Sequence, residues 1–539
     1  MRTSFKIVLS KNFPIFLILG LSLLIRLFYC YYRLDSHTGD KLETAYIISA
    51  LKIIFSDGNP GWFFHGALYF NLLALFYSLI FFVGKILCLL ETKADFLMFY
   101  LERPEVFYGA ARGLNILIGV ATILAVYRIG KILWSKEVGL YAALIFSLLP
   151  MSLQQSAKGD MYGLTNFLIV MVFLQGVKYN NNPSFGKLLA TAVFLGLAFA
   201  SDYFALLIVP FLLGLYLLAD PRGRSVFIKG AVIFCGTVFF LIVLNNWNLV
   251  LRPNLVFDAI HRQFTVAVFN DRANLLMHDP FFYVKIMLSF PYLPFSVLAM
   301  LSAVLFVRER SRMGALLLIL PALNILFFSF SKVENYRYIF FSFPYLSLAA
   351  GYTIAFFSKN RSKIIFTGFV LIWGASCLIL NKPRIFSDFS SLEEWIKENI
   401  PVKTSIMIQP GIYCFAQTRL FSILHDNRSN ENLYKEVLDR YLTKHPEENY
   451  RFWVCNLKAD TIPTLALYGI EYIITPPESV YPPDIREWLS DRTTLIKSFS
   501  SPLDIGVLRN VQKMREGEVF GQLPEPKLYY PANVYKIKN

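Results

Sequence analysis

Charge is scarce in this sequence: only 17% of its 539 residues are Asp, Glu, Lys or Arg, against 55% that are hydrophobic. Soluble domains of ordinary composition are about 25% charged, so one water-bathed core does not accommodate this chain. Cysteine is also scarce, with six residues, no Cys-x-x-Cys and no His/Cys zinc spacing. Cys30, Cys88, Cys235 and Cys377 lie in or beside apolar segments, where a thiol behaves as a small hydrophobe. Cys414 and Cys455 fall in the polar C-terminal part and are a candidate pair if that part lies outside the cytoplasm. That part also lacks a Walker loop, a GxSxG nucleophile turn and a dinucleotide fingerprint. The first apolar run, Phe13–Tyr32, lacks a small-residue cleavage site and is long enough to span, which argues against a removable signal peptide.

Apolar residues dominate what is present. The mean hydropathy is +0.49, and the 51 Phe and 30 Tyr suit bundle interiors and membrane interfaces. The net charge of +15 does not point to nucleic acid. Residues 382–539 carry no net charge, and the whole excess sits in the apolar part. There the basic residues occupy short loops between hydrophobic runs, where they orient spans.

The sequence predicts an all-α polytopic membrane bundle of about 11 to 13 transmembrane helices over residues 1–381, followed by an extracytoplasmic α/β domain over 382–539. Spans are expected at 13–32, 106–127, 137–155, 161–177, 187–201, 203–219, 226–247, 281–307, 313–330, 338–357 and 363–380. Arg2, Lys6 and Lys11 place the N-terminus in the cytoplasm, and the basic loops alternate with nearly neutral ones. This alternation puts 33–66, the turn 156–160, 248–280, 331–337 and everything beyond 381 on the outer side. It also favours a re-entrant or interfacial helix for 67–90. Beyond Lys382 an amphipathic helix at 391–400 gives way to short β-like runs, TSIMIQ and YIIT, with Pro-rich turns.

Candidate chemistry converges on the outer side. The first loop holds Asp35, His37, Asp40 and Glu43, acids placed to deprotonate an acceptor hydroxyl, or simply a solvated loop. The turn QQSAKGD carries Lys158 and Asp160, costly between two spans unless paired or hydrated. Lys158 suits a phosphate, and Asp160 suits orienting that Lys or sharing a metal; a local ion pair is the bland alternative. Arg112 and Arg337 present guanidinium forks toward the same side, for phosphate oxygens or for lipid headgroups. Asp202 is a further expensive charge, and His65, His261 and His278 share the outer side.

The stretches ISALKIIFSDGNPGWFFHGALYFNLLALFY, FYGAARGLNILIGVATILAVYRIGKILW, VGLYAALIFSLLPMSLQQSAKGDMYGLTNFL and NYRYIFFSFPYLSLAAG carry a resemblance. Over roughly residues 1–360 the chain resembles the C-type glycosyltransferases of the protein O-mannosyltransferase and aminoarabinose-transferase superfamily. The resemblance implies a helical bundle that moves a sugar from a polyprenyl-phosphate donor to an acceptor hydroxyl, with inversion. It implies Asp40 or Glu43 as general base, and keeps Lys158, Asp160 and Arg337; together with Arg112 from the residue pattern, Lys158 and Arg337 are expected on the donor phosphate, with Asp160 in support and a divalent cation optional. The implied partners are the lipid-linked donor, an acceptor that is lipid, glycan or protein, and membrane lipids, without nucleic acid. Relatives carry an adjacent Asp-Glu pair in the first loop. An ungapped match puts Leu42 and Glu43 there, whereas a small shift nominates Asp40. A Lys common after the GLA segment is replaced by Asp202. A secondary transporter or flippase and a non-catalytic assembly subunit are the alternatives. Midplane repeats that would favour a transporter are not evident.

Overall fold

The computed structural model describes residues 2–31, 41–55, 58–61, 63, 65–218, 221–269, 281–289, 292–330, 336–358, 362–380, 388–408, 416–424, 430–454, 465, 470–475, 483–499 and 532–538. Asp35, His37, Asp40, His278, Cys414 and Cys455 lie outside the described residues.

Among the described residues the apolar part is mostly helical. Helix α1 (Arg2–Tyr31) contains the first apolar run, and α2 (Lys41–Phe55), α3 (Leu68–Ile86) and α4 (Lys93–Glu102) follow it. Next come α5 (Pro104–Leu133), α6 (Lys136–Leu148), α7 (Pro150–Ser156), α8 (Tyr162–Asn181) and α9 (Phe185–Ser201). A 3-10 segment (Tyr203–Ile208) leads into α10 (Val209–Leu218), then α11 (Pro221–Asn245), α12 (Asn248–Leu251) and α13 (Pro253–Phe269). Helices α14 (Phe282–Leu288), α15 (Leu293–Arg308) and α16 (Arg312–Ser329) precede a second 3-10 segment (Tyr336–Ser342), α17 (Phe343–Phe357) and α18 (Ser362–Leu380).

Among the described residues, six helices are long and apolar enough to cross a membrane, or eight if each of two bent helix pairs counts as one span. The helices within 187–201, 203–219 and 363–380 are apolar, but the described apolar stretches are shorter than 18 residues. Residues 67–90, expected to be re-entrant or interfacial, contain the unbroken 19-residue α3, which is long and apolar enough to cross a membrane. The expected span 137–155 is broken instead, because α6 and α7 meet at 65°. The cause is local: Pro150 has no N–H to donate and drives Leu149 into extended geometry (φ −61°, ψ 127°). The bundle has a distinct inside. The span at 337–357 is 89% buried, whereas α11 is 6% buried and presents Val232, Phe239 and Phe240 outward, as lipid contact requires.

The C-terminal part contains α19 (Asp388–Asn399), β1 (Ser405–Ile408), α20 (Ala416–Leu424), α21 (Glu431–Lys444), β2 (Arg451–Val454) and β3 (Tyr472–Thr475). It continues with α22 (Pro483–Arg492), β4 (Thr493–Phe499) and β5 (Ala532–Ile537). The strands form one mixed sheet ordered β2-β1-β3-β5-β4, with β1 parallel to β2 and β3, and β5 antiparallel to β3 and β4. Side chains alternate across a strand, so Ile406 and Ile408 join Leu392 and Ile396 of α19 on one face. Met407 joins Ile485 and Leu489 of α22 on the other. Helices α20 and α21 turn instead toward the bundle, where Leu420, Ile423 and Val437 belong to its continuous apolar core. Polar contacts fix this docking. Asn430 donates to the Phe55 carbonyl at the end of α2 (2.8 Å), Arg440 meets Asp95 (2.7 Å) and Lys444 meets Glu102 (2.7 Å).

Candidate functional site

The site is built around the turn 157–160 between α7 and α8. Helix α2 brings Glu43 to this turn in its first helical turn, and α5 brings Arg112 from across the bundle. Both side chains are 1% exposed. The guanidinium grips the carboxylate with both prongs, Nε to Oε1 at 2.7 Å and Nη2 to Oε2 at 2.8 Å. The Gly159 N–H donates to Glu43 Oε1 as well (2.8 Å). A side chain at Gly159 would collide with Ala111 and Glu43, so glycine is what allows this close approach. Tyr108 completes the setting, with its ring 5.8 Å from the guanidinium and its hydroxyl bonded to Thr44 of α2 (2.7 Å).

One helical turn beyond Arg112 on α5, Asn115 donates to the carbonyls of Lys158 and of Asp160, the latter at 2.6 Å. The turn backbone is therefore anchored at three successive residues. Asp160 is 1% exposed. Its Oδ1 accepts from the Tyr162 N–H (3.1 Å), and the Gln155 amide, with its nitrogen facing the carboxylate, donates to Oδ2 at 3.1 Å. Lys158 is half-buried.

Arg337 approaches from the 3-10 segment, 5% exposed, with its guanidinium 5.9 Å from the Tyr162 ring. That segment is pinned by Asn324 of α16, whose amide donates to the Tyr338 carbonyl (2.8 Å) and the Ser342 hydroxyl (2.9 Å). His65 meets the same Tyr162 ring edge-on at 6.3 Å, and its Nδ1 lies 3.8 Å from Asp202 Oδ1 at the end of α9. Tyr46 of α2, fully buried, is within electrostatic reach of Asp160, Arg337 and Asp202.

Of the residues singled out from the sequence, the fold gathers Glu43, Arg112, Lys158, Asp160 and Arg337 around this turn. Asp202 and His65 adjoin them. His261 on α13 is exposed, and no described contact brings it to the turn. Glu43 and Arg112 meet each other, so neither presents an open fork or a bare carboxylate. Among the described residues no three His, Cys, Asp or Glu side chains group as a metal site. A divalent cation at Asp160 would therefore need ligands from elsewhere.

Arg26 is a residue the sequence reading passed over. It lies in α1, fully buried, and bonds only neutral oxygens among the described residues: the Ser22 hydroxyl, Ser152 Oγ (2.8 Å), Ser156 Oγ (3.0 Å) and the Ser22 and Ser147 carbonyls (both 3.4 Å). A side chain at Gly119 of α5 would meet Ser156 and Arg26. Arg26 thus ties α1 to the bent α6–α7 pair, from which the Lys158–Asp160 turn projects. The signal for it was a lone arginine within an apolar span.

The model of a family described as dolichyl-phosphate-mannose-protein mannosyltransferase matches residues 108–248, which hold Arg112, the turn and Asp202. No curated protein matches by sequence. Among solved structures, ArnT from Cupriavidus metallidurans bound to undecaprenyl phosphate superposes with a TM-score of 0.53 at 11% identity, covering 97% of this chain and 98% of that one. Its apo state gives 0.53 at 13% identity, covering 90% and 96%. The archaeal oligosaccharyltransferase AglB from Archaeoglobus fulgidus, in complex with an inhibitory peptide and a dolichol-phosphate, gives 0.50 at 12% identity, covering 98% and 89%. At these identities the likeness is one of fold. The apolar helices make the chain an integral membrane protein, one that shares its fold with ArnT and AglB and carries, over residues 108–248, a segment matching the mannosyltransferase family model.

Proposed function

We propose that this protein is a membrane glycosyltransferase that moves a sugar from a polyprenyl-phosphate donor to an acceptor hydroxyl, with inversion at the anomeric carbon. The observation that carries the reading is the turn bearing Lys158 and Asp160, fixed by the buried Glu43–Arg112 pair, with Arg337 beside the Tyr162 ring that follows it. Two cations there suit a lipid-linked phosphate and the charge that grows on it as it leaves. ArnT, solved with undecaprenyl phosphate, supports the donor class through its shared fold.

In this reading Lys158 and Arg337 hold the donor phosphate, and Asp160 positions the turn that carries Lys158. Arg112 acts on the phosphate through its field and through Glu43, because its fork is already engaged. Glu43 is engaged likewise, so Asp40 is the first-loop carboxylate assigned to the acceptor proton. The site faces the extracytoplasmic side of a cell membrane, and so does the C-terminal domain.

A second reading, a non-catalytic assembly subunit, draws on one observation: the carboxylate oxygens of Glu43 accept from Arg112 and Gly159. Incubating the purified protein with radiolabelled polyprenyl-phosphate sugars and membrane extract as acceptor separates the two. Transfer that Arg337→Ala and Lys158→Ala both reduce supports the transferase. Binding of the lipid without transfer from any donor supports the subunit.

A further inference from the structure

Asp202 is a charge near the turn that the donor-phosphate assignment leaves unused. It is 1% exposed at the junction of α9 and the following 3-10 segment. Oδ1 is committed, since it accepts from the Phe204 N–H at 3.1 Å and lies 3.8 Å from His65 Nδ1. Oδ2 is buried and makes no hydrogen bond to any described residue. Buried carboxylate oxygens are acceptors only, and leaving one unmet is costly. The position calls for an O–H or N–H from outside the described residues.

The surroundings restrict what brings that donor. A carboxylate repels phosphate, so the lipid phosphate itself is not its partner. His65, which faces Oδ1, borders the Tyr162 ring that Arg337 also borders. His65 thus links the Asp202 carboxylate to the aromatic ring that Arg337 borders. The His65 backbone region is fixed: a side chain at Gly66 would strike the Ala200 and Ser201 backbone, and the Ala67 N–H donates to Asn246 Oδ1 at 2.6 Å. Buried Tyr46 and Tyr162 add ring surface. A fixed carboxylate oxygen beside aromatic faces suits a ring that carries hydroxyls on apolar carbons.

Resting on the donor reading above, we propose that Asp202, oriented by His65, accepts a hydrogen bond from a hydroxyl of the transferred sugar and so selects the donor. The transferred sugar fits better than the acceptor, because it alone is bonded directly to the phosphate assigned to Arg337 and Lys158.

The test is calorimetric binding to the full-length protein in nanodiscs, using citronellyl phosphate and its mannosyl, glucosyl, galactosyl and amino-sugar conjugates. The wild type should bind citronellyl phosphate, and at least one neutral conjugate about tenfold or more tightly, as a hydrogen bond to a charged group gives. Asp202→Leu should erase that increment and leave affinity for bare citronellyl phosphate within twofold. A merely structural role would shift both. Asp202→Asn, which keeps the shape, should lose part of the increment, so a misfolded leucine variant does not block the test. Deoxy conjugates that lack the bonded hydroxyl should bind the wild type and Asp202→Leu equally. An unchanged increment in both variants overturns the assignment, and so does an increment confined to the amino sugar. Absence of any binding to citronellyl phosphate refutes the donor reading itself, whereas lipid-phosphate binding without a sugar increment refutes only the role of Asp202.

Discussion

Glu43→Gln is the sharpest perturbation of this site, because the structure assigns Glu43 a partner rather than an open face. The substitution keeps size and one carbonyl acceptor but removes the charge and the second acceptor. Arg112 is then left as a guanidinium 1% exposed, without its anion. Breaking one side of a buried ion pair costs about 3–5 kcal/mol, and the Tyr108 ring, already 5.8 Å from the guanidinium, returns at most about 1 of this. A net loss of about 2–4 kcal/mol is a large share of a typical stability of about 5–15 kcal/mol. Arg112→Met should be similarly severe, since it strands the carboxylate. The double variant Glu43→Gln with Arg112→Met removes both charges and should be milder than either single one. A double-mutant cycle followed by thermal unfolding in detergent, read by size-exclusion fluorescence, measures the coupling. Because Gly159 also donates to Glu43, the turn should loosen, and exchange of the Gly159 amide should accelerate in the single variants. Single variants within about 1 kcal/mol of the wild type, or a double variant equal to their sum, would refute the clamp.

The remaining expectations are shorter. Asp40→Asn should lower transfer by about 10²–10⁴ while the variant still binds citronellyl phosphate; unchanged turnover removes Asp40 as the base. Arg440 and the Thr92 cap hold the Asp95 carboxyl down at about 2, below its usual range. The contact therefore stabilises the docked C-terminal part above the ordinary carboxylate range and is lost as pH falls through about 2. Both partners are partly exposed, so the effect is under about 1 kcal/mol. At neutral pH Arg440→Glu should speed amide exchange in α21, and exchanging the two charges should restore it; no change in either variant removes the contact from the account. A cysteine at Lys403 should react with a membrane-impermeant reagent on intact cells, and reaction only after permeabilisation reverses the proposed orientation.

The apolar spans, the polar C-terminal part and the strand runs at 405–408 and 472–475 were legible because periodicity and hydropathy are local properties. Lys158, Asp160, Arg112 and Arg337 were legible for a related reason: a charge in an apolar segment is expensive and so stands out in one dimension. Pairing is not local. Glu43 and Arg112 are 69 residues apart, and only the packing of α2 against α5 turned two free candidates into one clamp. Arg26 became meaningful only when the 65° break at Pro150 carried Ser152 and Ser156 to it. His65 and Asp202 read as isolated until α9 ended beside the segment before α3. The sequence by itself determined which residues had to be hidden or hydrated, since transfer free energy belongs to each side chain. Which charge met which, and which carboxylate oxygen was left to find a partner, only the tertiary structure decided, because a hydrogen bond depends on distances set by the whole bundle.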